Sequence, residues 1–255
     1  MTQDPPALSV RGLSVQFGDI VALKAVTFAV GKGGSLGVIG PNGAGKTTLF
    51  HALTGDINGC AGEVWIDTIA VLGKGPSEVS RMGLGKLFQD VRVFPHLTVR
   101  ENLLVALQDD SARAWHHAWF RRPTRQDRLS HNERVDRILE RLELARDVDT
   151  PAGRLSFGDQ KTLALGRLLA GRFSILLLDE PMAGLSPARA AIVGNVIEEL
   201  VHVGGTTVLL IEHNMQHVKR LCRETLVLNH GNVVTVGPTA DVIHDANVQE
   251  ICLGL

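Results

Sequence analysis

The stretch Gly40-Pro41-Asn42-Gly43-Ala44-Gly45-Lys46-Thr47 constrains this 255-residue chain more than any other. It fits the P-loop pattern G-x-x-x-x-G-K-[ST], and its flanks are those such a loop requires. Ser35–Ile39 before it reads as a buried strand, and Thr48–Leu53 after it reads as a helix. Glycines let successive backbone N–H groups turn toward phosphate oxygens, and the helix start adds its positive end. Asn42, Gly43, Ala44, Gly45, Lys46, Thr47 and Thr48 are thus candidates for holding a nucleoside triphosphate. Lys46 would reach the β- and γ-phosphates, and the Thr47 hydroxyl would ligate Mg²⁺.

Composition narrows the setting. The chain is 44% hydrophobic and 21% charged, an ordinary globular balance. A formal net charge of −1 offers no global basic field for nucleic acid. Apolar runs such as Ile175–Leu178 and Val208–Ile211 are too short to cross a bilayer, and the N-terminal residues lack a signal-peptide pattern. Cys60, Cys222 and Cys252 are widely spaced with no C-x-x-C pair, so buried free thiols and a cytoplasmic setting are expected.

Strand signals at Leu8–Val10, Leu13–Phe17, Val26–Val30 and Gly62–Asp67 suggest an antiparallel piece beside the loop. From about Leu97 to Asp149 the pattern is helical, with Val135, Ile138, Leu139 and Leu142 on one face of Asn132–Arg146. Strands return at Ile175–Leu178, Thr206–Ile211, Thr225–Asn229 and Asn232–Val236, with a helix over Ala188–Val203. The implied fold is α/β, a P-loop NTPase core with an antiparallel β subdomain and an inserted α-helical subdomain. One domain is expected, with 1–90 and 155–255 as core and 91–154 as helical subdomain.

The apolar run Ile175–Leu178 ends in Asp179 and Glu180. A carboxylate at that end of a buried strand can face the P-loop, so Asp179 is a candidate Mg²⁺ partner. Glu180 can polarise a water for in-line attack on the γ-phosphate. Taken alone, these two residues read equally well as an acidic pair that merely caps a helix. His213 and His217 form H-x-x-x-H, but Asn214 stands where a zinc metalloprotease would need glutamate.

Leu155-Ser156-Phe157-Gly158-Asp159-Gln160 resembles the Leu-Ser-Gly-Gly-Gln signature of the ATP-binding subunits of ABC transporters. Read alone, Ser156 is also a good N-cap for the helix that follows. The resemblance extends in order along most of the chain. It implies that Phe17 stacks on adenine, that Gln89 touches Mg²⁺ and the attacking water, and that Ala183–Ser186 is the D-loop. It also implies that His213 contacts the γ-phosphate, and that Ser156 and Gly158 complete a site on a second ATPase subunit, identical or different. Catalytic work then falls to Glu180, His213 and Gln89, with Thr47, Gln89 and Asp179 around the metal. Phe157, Asp159 and Ser186 depart from the family pattern, Asp159 standing where glutamine is usual and Ser186 where aspartate is.

Val93–Val99 and Glu180–Pro187 resemble the ATPases of branched-chain amino-acid importers and the related urea and amide importers. The long segment Asp109–Asn132, with Trp115, His116, His117, Trp119, Phe120, Arg121, Arg122, Arg125 and Arg128, resembles an extended loop of that group. A solvated loop and a membrane-facing one suit its composition equally. The resemblance implies ATP hydrolysis on the inner face of the cell membrane. It also implies transmembrane permease subunits as partners, with a periplasmic or extracellular binding protein acting indirectly. Exporter ATPases and soluble nucleic-acid-acting members are the competing classes.

Overall fold

A computed structural model of the chain describes residues 5–108, 125–203 and 205–253. These residues form two compact units. The first comprises the described residues within 1–86, 174–180 and 197–255, and the second those within 87–173 and 181–196.

In the first unit, strands β1 (Leu8–Phe17), β2 (Ile20–Val30), β4 (Ala61–Ile66) and β5 (Ile69–Ala70) form an antiparallel sheet in the order β2-β1-β4-β5. The sequence predicts two strands where β1 is one. Its register against β2 shifts between Val10 and Leu13, where Gly12 has φ 60°. A bulge there carries the chain past the break in apolar alternation without ending the strand.

The second sheet has the order β10-β9-β3-β8-β7-β6. Its strands are β3 (Ser35–Ile39), β6 (Leu84–Leu87), β7 (Ile175–Asp179), β8 (Thr207–Ile211), β9 (Glu224–Asn229) and β10 (Asn232–Pro238). Strand β3 runs parallel to β8 and β9, and β7 runs parallel to β8, while β9 and β10 are antiparallel. Every residue of β3, β7 and β8 is buried, as expected of parallel strands covered on both faces. That explains their unbroken apolar runs. One apolar cluster joins Leu8, Leu13 and Phe28 with Leu36, Phe50, Leu177, Leu209 and Leu228.

Helix α1 (Lys46–Leu53) follows β3, and α2 (Pro76–Arg81) precedes β6. The second unit is helical, with α3 (Val99–Gln108), α4 (Arg125–Arg141) and α5 (Phe157–Ala170) packed on one another. A Cβ on Gly166 would lie 2.7 Å from Leu142 and 3.1 Å from Leu103, so glycine permits the close crossing. Helix α4 ends before the predicted Arg146, because Leu142 turns out of it and Glu143 takes φ 52°. Helix α6 (Pro187–His202), α7 (Met215–Leu221), α8 (Thr239–His244) and α9 (Ala246–Leu253) complete the elements. Most of the Asp109–Asn132 segment lies outside the described residues. The thiols are all free, but only Cys222 is fully buried; Cys60 and Cys252 are half-buried.

Candidate functional site

The loop between β3 and α1 is shaped by two backbone approaches that no side chain could share. Gly40 has φ 145°, and a Cβ there would lie 2.0 Å from the Leu228 carbonyl oxygen. Gly45, the N-cap of α1 at φ 104°, would put a Cβ 2.8 Å from the Ala22 carbonyl oxygen. The turn between β9 and β10 pins the loop from the other side, as Gly231 N–H donates to the Ala44 carbonyl at 3.0 Å. Lys46 curls back over this scaffold. Its Nζ donates to the carbonyls of Gly40 (2.7 Å) and Pro41 (2.9 Å). Burial pulls the Lys46 pKa down, opposed by the negative groups of Glu180, Cys252 and Asp179. Asn42, Gly43 and Thr47 are exposed at the rim, and Thr48 is half-buried one residue further along α1.

Strand β7 delivers the acidic pair to the same unit. Asp179 is 2% exposed, and its Oδ1 has no hydrogen-bond partner. Burial raises the pKa of this carboxyl, and Glu180 adds to the shift. Lys86, His51 and Lys46 oppose it. A buried oxygen left without a donor is what a cation or its water would satisfy. Glu180 sits at φ 48°, left-handed for a non-glycine residue, at a cost of about 1–2 kcal/mol. Its N–H is anchored to the Ile211 carbonyl at 3.0 Å, and its Oε1 lies 2.9 Å from His213 Nε2. The other histidine of H-x-x-x-H has a different partner, with His217 Nδ1 3.9 Å from Glu212 Oε2.

Four further residues belong to this neighbourhood and went unremarked in the sequence. Lys86 Nζ, on a side chain only 4% exposed, lies 3.2 Å from His51 Nδ1 and 3.4 Å from Asp56 Oδ2. Thr54 Oγ1 donates to the same Asp56 oxygen at 2.7 Å. Burial raises the Asp56 pKa, but the hydrogen bonds from Thr54 and His51 and the charge of Lys86 outweigh it and hold the carboxyl low. A lysine in a short apolar strand was the available signal; its partners, His51 on α1 and Asp56 just beyond that helix, were not legible without the fold. Phe17, at the end of β1, is 49% exposed and pairs across the hairpin with Ile20, itself 72% exposed. They form an open apolar edge.

The signature segment and D-loop lie together in the second unit. Ser156 caps α5, its Oγ accepting from Asp159 N–H at 3.2 Å and donating to Asp159 Oδ2 at 2.6 Å. Asp159 Oδ1 faces the Arg189 guanidinium at 2.6 Å. Buried Lys161 donates to the Ala183 carbonyl at 2.8 Å, tying α5 to the D-loop. Phe157 is 58% exposed, and a Cβ on Gly184 would lie 3.5 Å from its ring. Gln89 is exposed in the segment after β6, where the Arg92 guanidinium stacks 3.7 Å from the Phe88 ring centroid. Downstream, Asn102 is fully buried and fastens the turn before α3. It accepts from Phe94 N–H and donates toward the carbonyls of Phe94, Leu97 and Thr98.

The sequence model of the ABC transporter family matches residues 23–183. LivG of Salmonella typhimurium, a high-affinity branched-chain amino acid transport ATP-binding protein, is 34% identical over 252 residues, 98% of each chain. BraF of Pseudomonas aeruginosa, of the same description, is 34% identical over 250 residues, again 98% of each. The ADP conformation of MJ1267, an ATP-binding cassette of an ABC transporter, superposes with a TM-score of 0.80 at 30% identity. It covers 98% of this chain and 99% of its own. The expected α/β fold is therefore borne out, and the chain belongs to the ABC transporter family as one of its ATP-binding, ATP-hydrolysing subunits.

Proposed function

We propose that this chain drives an importer for branched-chain or other hydrophobic amino acids, from the inner face of the membrane. The observation that carries the reading is full-length similarity to LivG and BraF, which spans the helical segments as well as the nucleotide-binding motifs. Among the described residues no helix is long and apolar enough to cross a membrane, so coupling to permease subunits would be by docking. Residues 91–154 are the proposed docking arm.

The working unit in this reading is a pair of ATPase subunits with two ATP molecules between them. In each site, Asn42–Thr48 and Lys46 of one subunit hold the phosphates, and Phe17 packs on the adenine. Ser156 and Gly158 of the other subunit meet the γ-phosphate. The orphaned Asp179 Oδ1 fits a Mg²⁺ ion or its water, with Thr47 as the other group of the same unit that would hold it. The ion, when bound, would neutralise charge on the β- and γ-phosphates. Glu180 orients and deprotonates the attacking water. His213, 2.9 Å from the Glu180 carboxylate, fixes its rotamer and reaches toward the γ-phosphate. ATP binding favours the closed pair, and hydrolysis lets it reopen.

The test uses the full chain carrying Glu180→Gln. It should bind ATP, lose turnover by about 100-fold or more, and form an ATP-dependent dimer on sizing chromatography. Parent-like hydrolysis would remove Glu180 from its role, and a chain that stays monomeric with ATP would overturn the shared site. Affinity purification from membranes should bring down two permeases; their absence would overturn the transport assignment.

A further inference from the structure

The signature of this chain contains a conflict that its geometry resolves. Ser156 has one hydroxyl proton, and it is given to Asp159 Oδ2 at 2.6 Å. A phosphate oxygen arriving at the start of α5 needs that same proton. It also meets a carboxylate one turn into the helix, where the helix dipole should favour an anion. Serine and aspartate at this spacing therefore oppose phosphate capture unless the carboxylate is compensated.

Arg189, in the first turn of α6, is placed to do this. Its Nη2 lies 2.6 Å from Asp159 Oδ1, the oxygen that the serine does not use. Its Nη1 donates to the Leu142 carbonyl at 3.0 Å, which fixes the guanidinium between the end of α4 and the start of α5. Both side chains of the pair are mostly buried, at 22% and 19% exposure, so solvent screens their attraction less than at an open surface.

We propose that Arg189 is a positioning residue for the signature. It neutralises Asp159 and offsets the charge of that carboxylate when the Ser156 hydroxyl turns from Asp159 to a phosphate held by a second copy of the chain. The inference rests on the shared-site reading above. With Arg189 removed, Asp159 is left with an uncompensated charge, retains the serine proton and repels the phosphate. With residue 159 neutral, Arg189 has nothing to compensate.

The experiment is a charge-removal cycle in the full chain carrying Glu180→Gln, read as the ATP concentration for half-maximal dimerisation. Arg189→Leu should raise that concentration about tenfold, while the affinity of the single subunit for a fluorescent ATP analogue stays within about twofold. Adding Asp159→Asn should bring it back to within about threefold of the parent, and Arg189→Lys should lie between. A merely structural arginine, acting through Leu142, would not be rescued by Asp159→Asn. Absence of an Arg189→Leu effect, or failure of rescue, overturns the inference while leaving the shared site standing. If Arg189→Leu does not fold, Asp159→Asn is compared with the Asp159→Asn, Arg189→Leu double variant. A cost above threefold there overturns it equally. A parent chain that never dimerises overturns the shared site itself.

Discussion

His213 Nε2 and Glu180 Oε1 stand 2.9 Å apart, although 33 positions separate them in sequence. Parallel pairing of β7 with β8 brings them together, since Asp179 lies beside Ile211 and each residue follows just past its strand end. The contact holds a carboxylate whose backbone is already confined at φ 48°. His213→Ala should therefore lower kcat about 100-fold while changing ATP affinity less than about threefold, in steady-state hydrolysis and in binding titrations. A loss confined to KM would place His213 in binding instead.

Lys46 is held in a curled rotamer by two carbonyls of its own loop, and Gly40 and Gly45 keep that loop close to Leu228 and Ala22. Lys46→Ala should weaken ATP binding by about tenfold or more, with a smaller loss for AMP, which lacks the outer phosphates. Equal losses for both nucleotides in a titration would show a collapsed loop rather than a missing phosphate contact.

Asp179 makes opposite demands on folding and on chemistry. Burial raises its pKa, so the folded state holds the proton more tightly than the unfolded chain does. The carboxyl is tolerated below its unfolded pKa and costs stability as pH rises above that value, neutral pH included. Asp179→Asn should thus raise the melting temperature of the nucleotide-free chain by about 2 °C near pH 7, and less near pH 4, while abolishing turnover. Scanning calorimetry at the two pH values gives the sign; a lower melting temperature would mean that Asp179 is paired more favourably than its orphaned oxygen indicates.

Gly40 offers a purely steric prediction. A Cβ 2.0 Å from the Leu228 oxygen, on a backbone at φ 145°, cannot be accommodated without moving β9 or the loop. Gly40→Ala should cost about 2–4 kcal/mol in urea unfolding, whereas Gly43→Ala meets nothing within 4 Å and should cost about 1 kcal/mol from its φ of 78° alone. Equal costs would mean that the contact relaxes freely.

The thiols should separate by reactivity. Burial pushes the Cys222 pKa up to about 12, with Glu212 adding to the shift, and burial raises Cys60 and Cys252 as well. Because the thiolate is the reactive form, labelling at pH 8 should modify the half-buried Cys60 and Cys252 in minutes. Cys222 should react only after denaturant is added. Mass spectrometry of the labelled chain reads the order directly.

The sequence by itself determined those features whose physics is local. A P-loop is one turn of backbone amides leading into one helix, so glycines, lysine and threonine at fixed spacing specify it without knowledge of neighbours. Strands β3, β7 and β8 were equally legible, because a strand buried on both faces must be apolar throughout. Strand β6 and helix α2 were not anticipated; four and six residues give periodicity too little length to act on. The tertiary structure alone decided the long-range electrostatics. It set the left-handed turn at Glu180 beside His213, the Lys86–His51–Asp56 group near Asp179, and the arginine that answers Asp159. Each depends on which chain segments a sheet or helix crossing brings within a few ångströms. Charge acts through space, and spacing along the chain does not encode that distance.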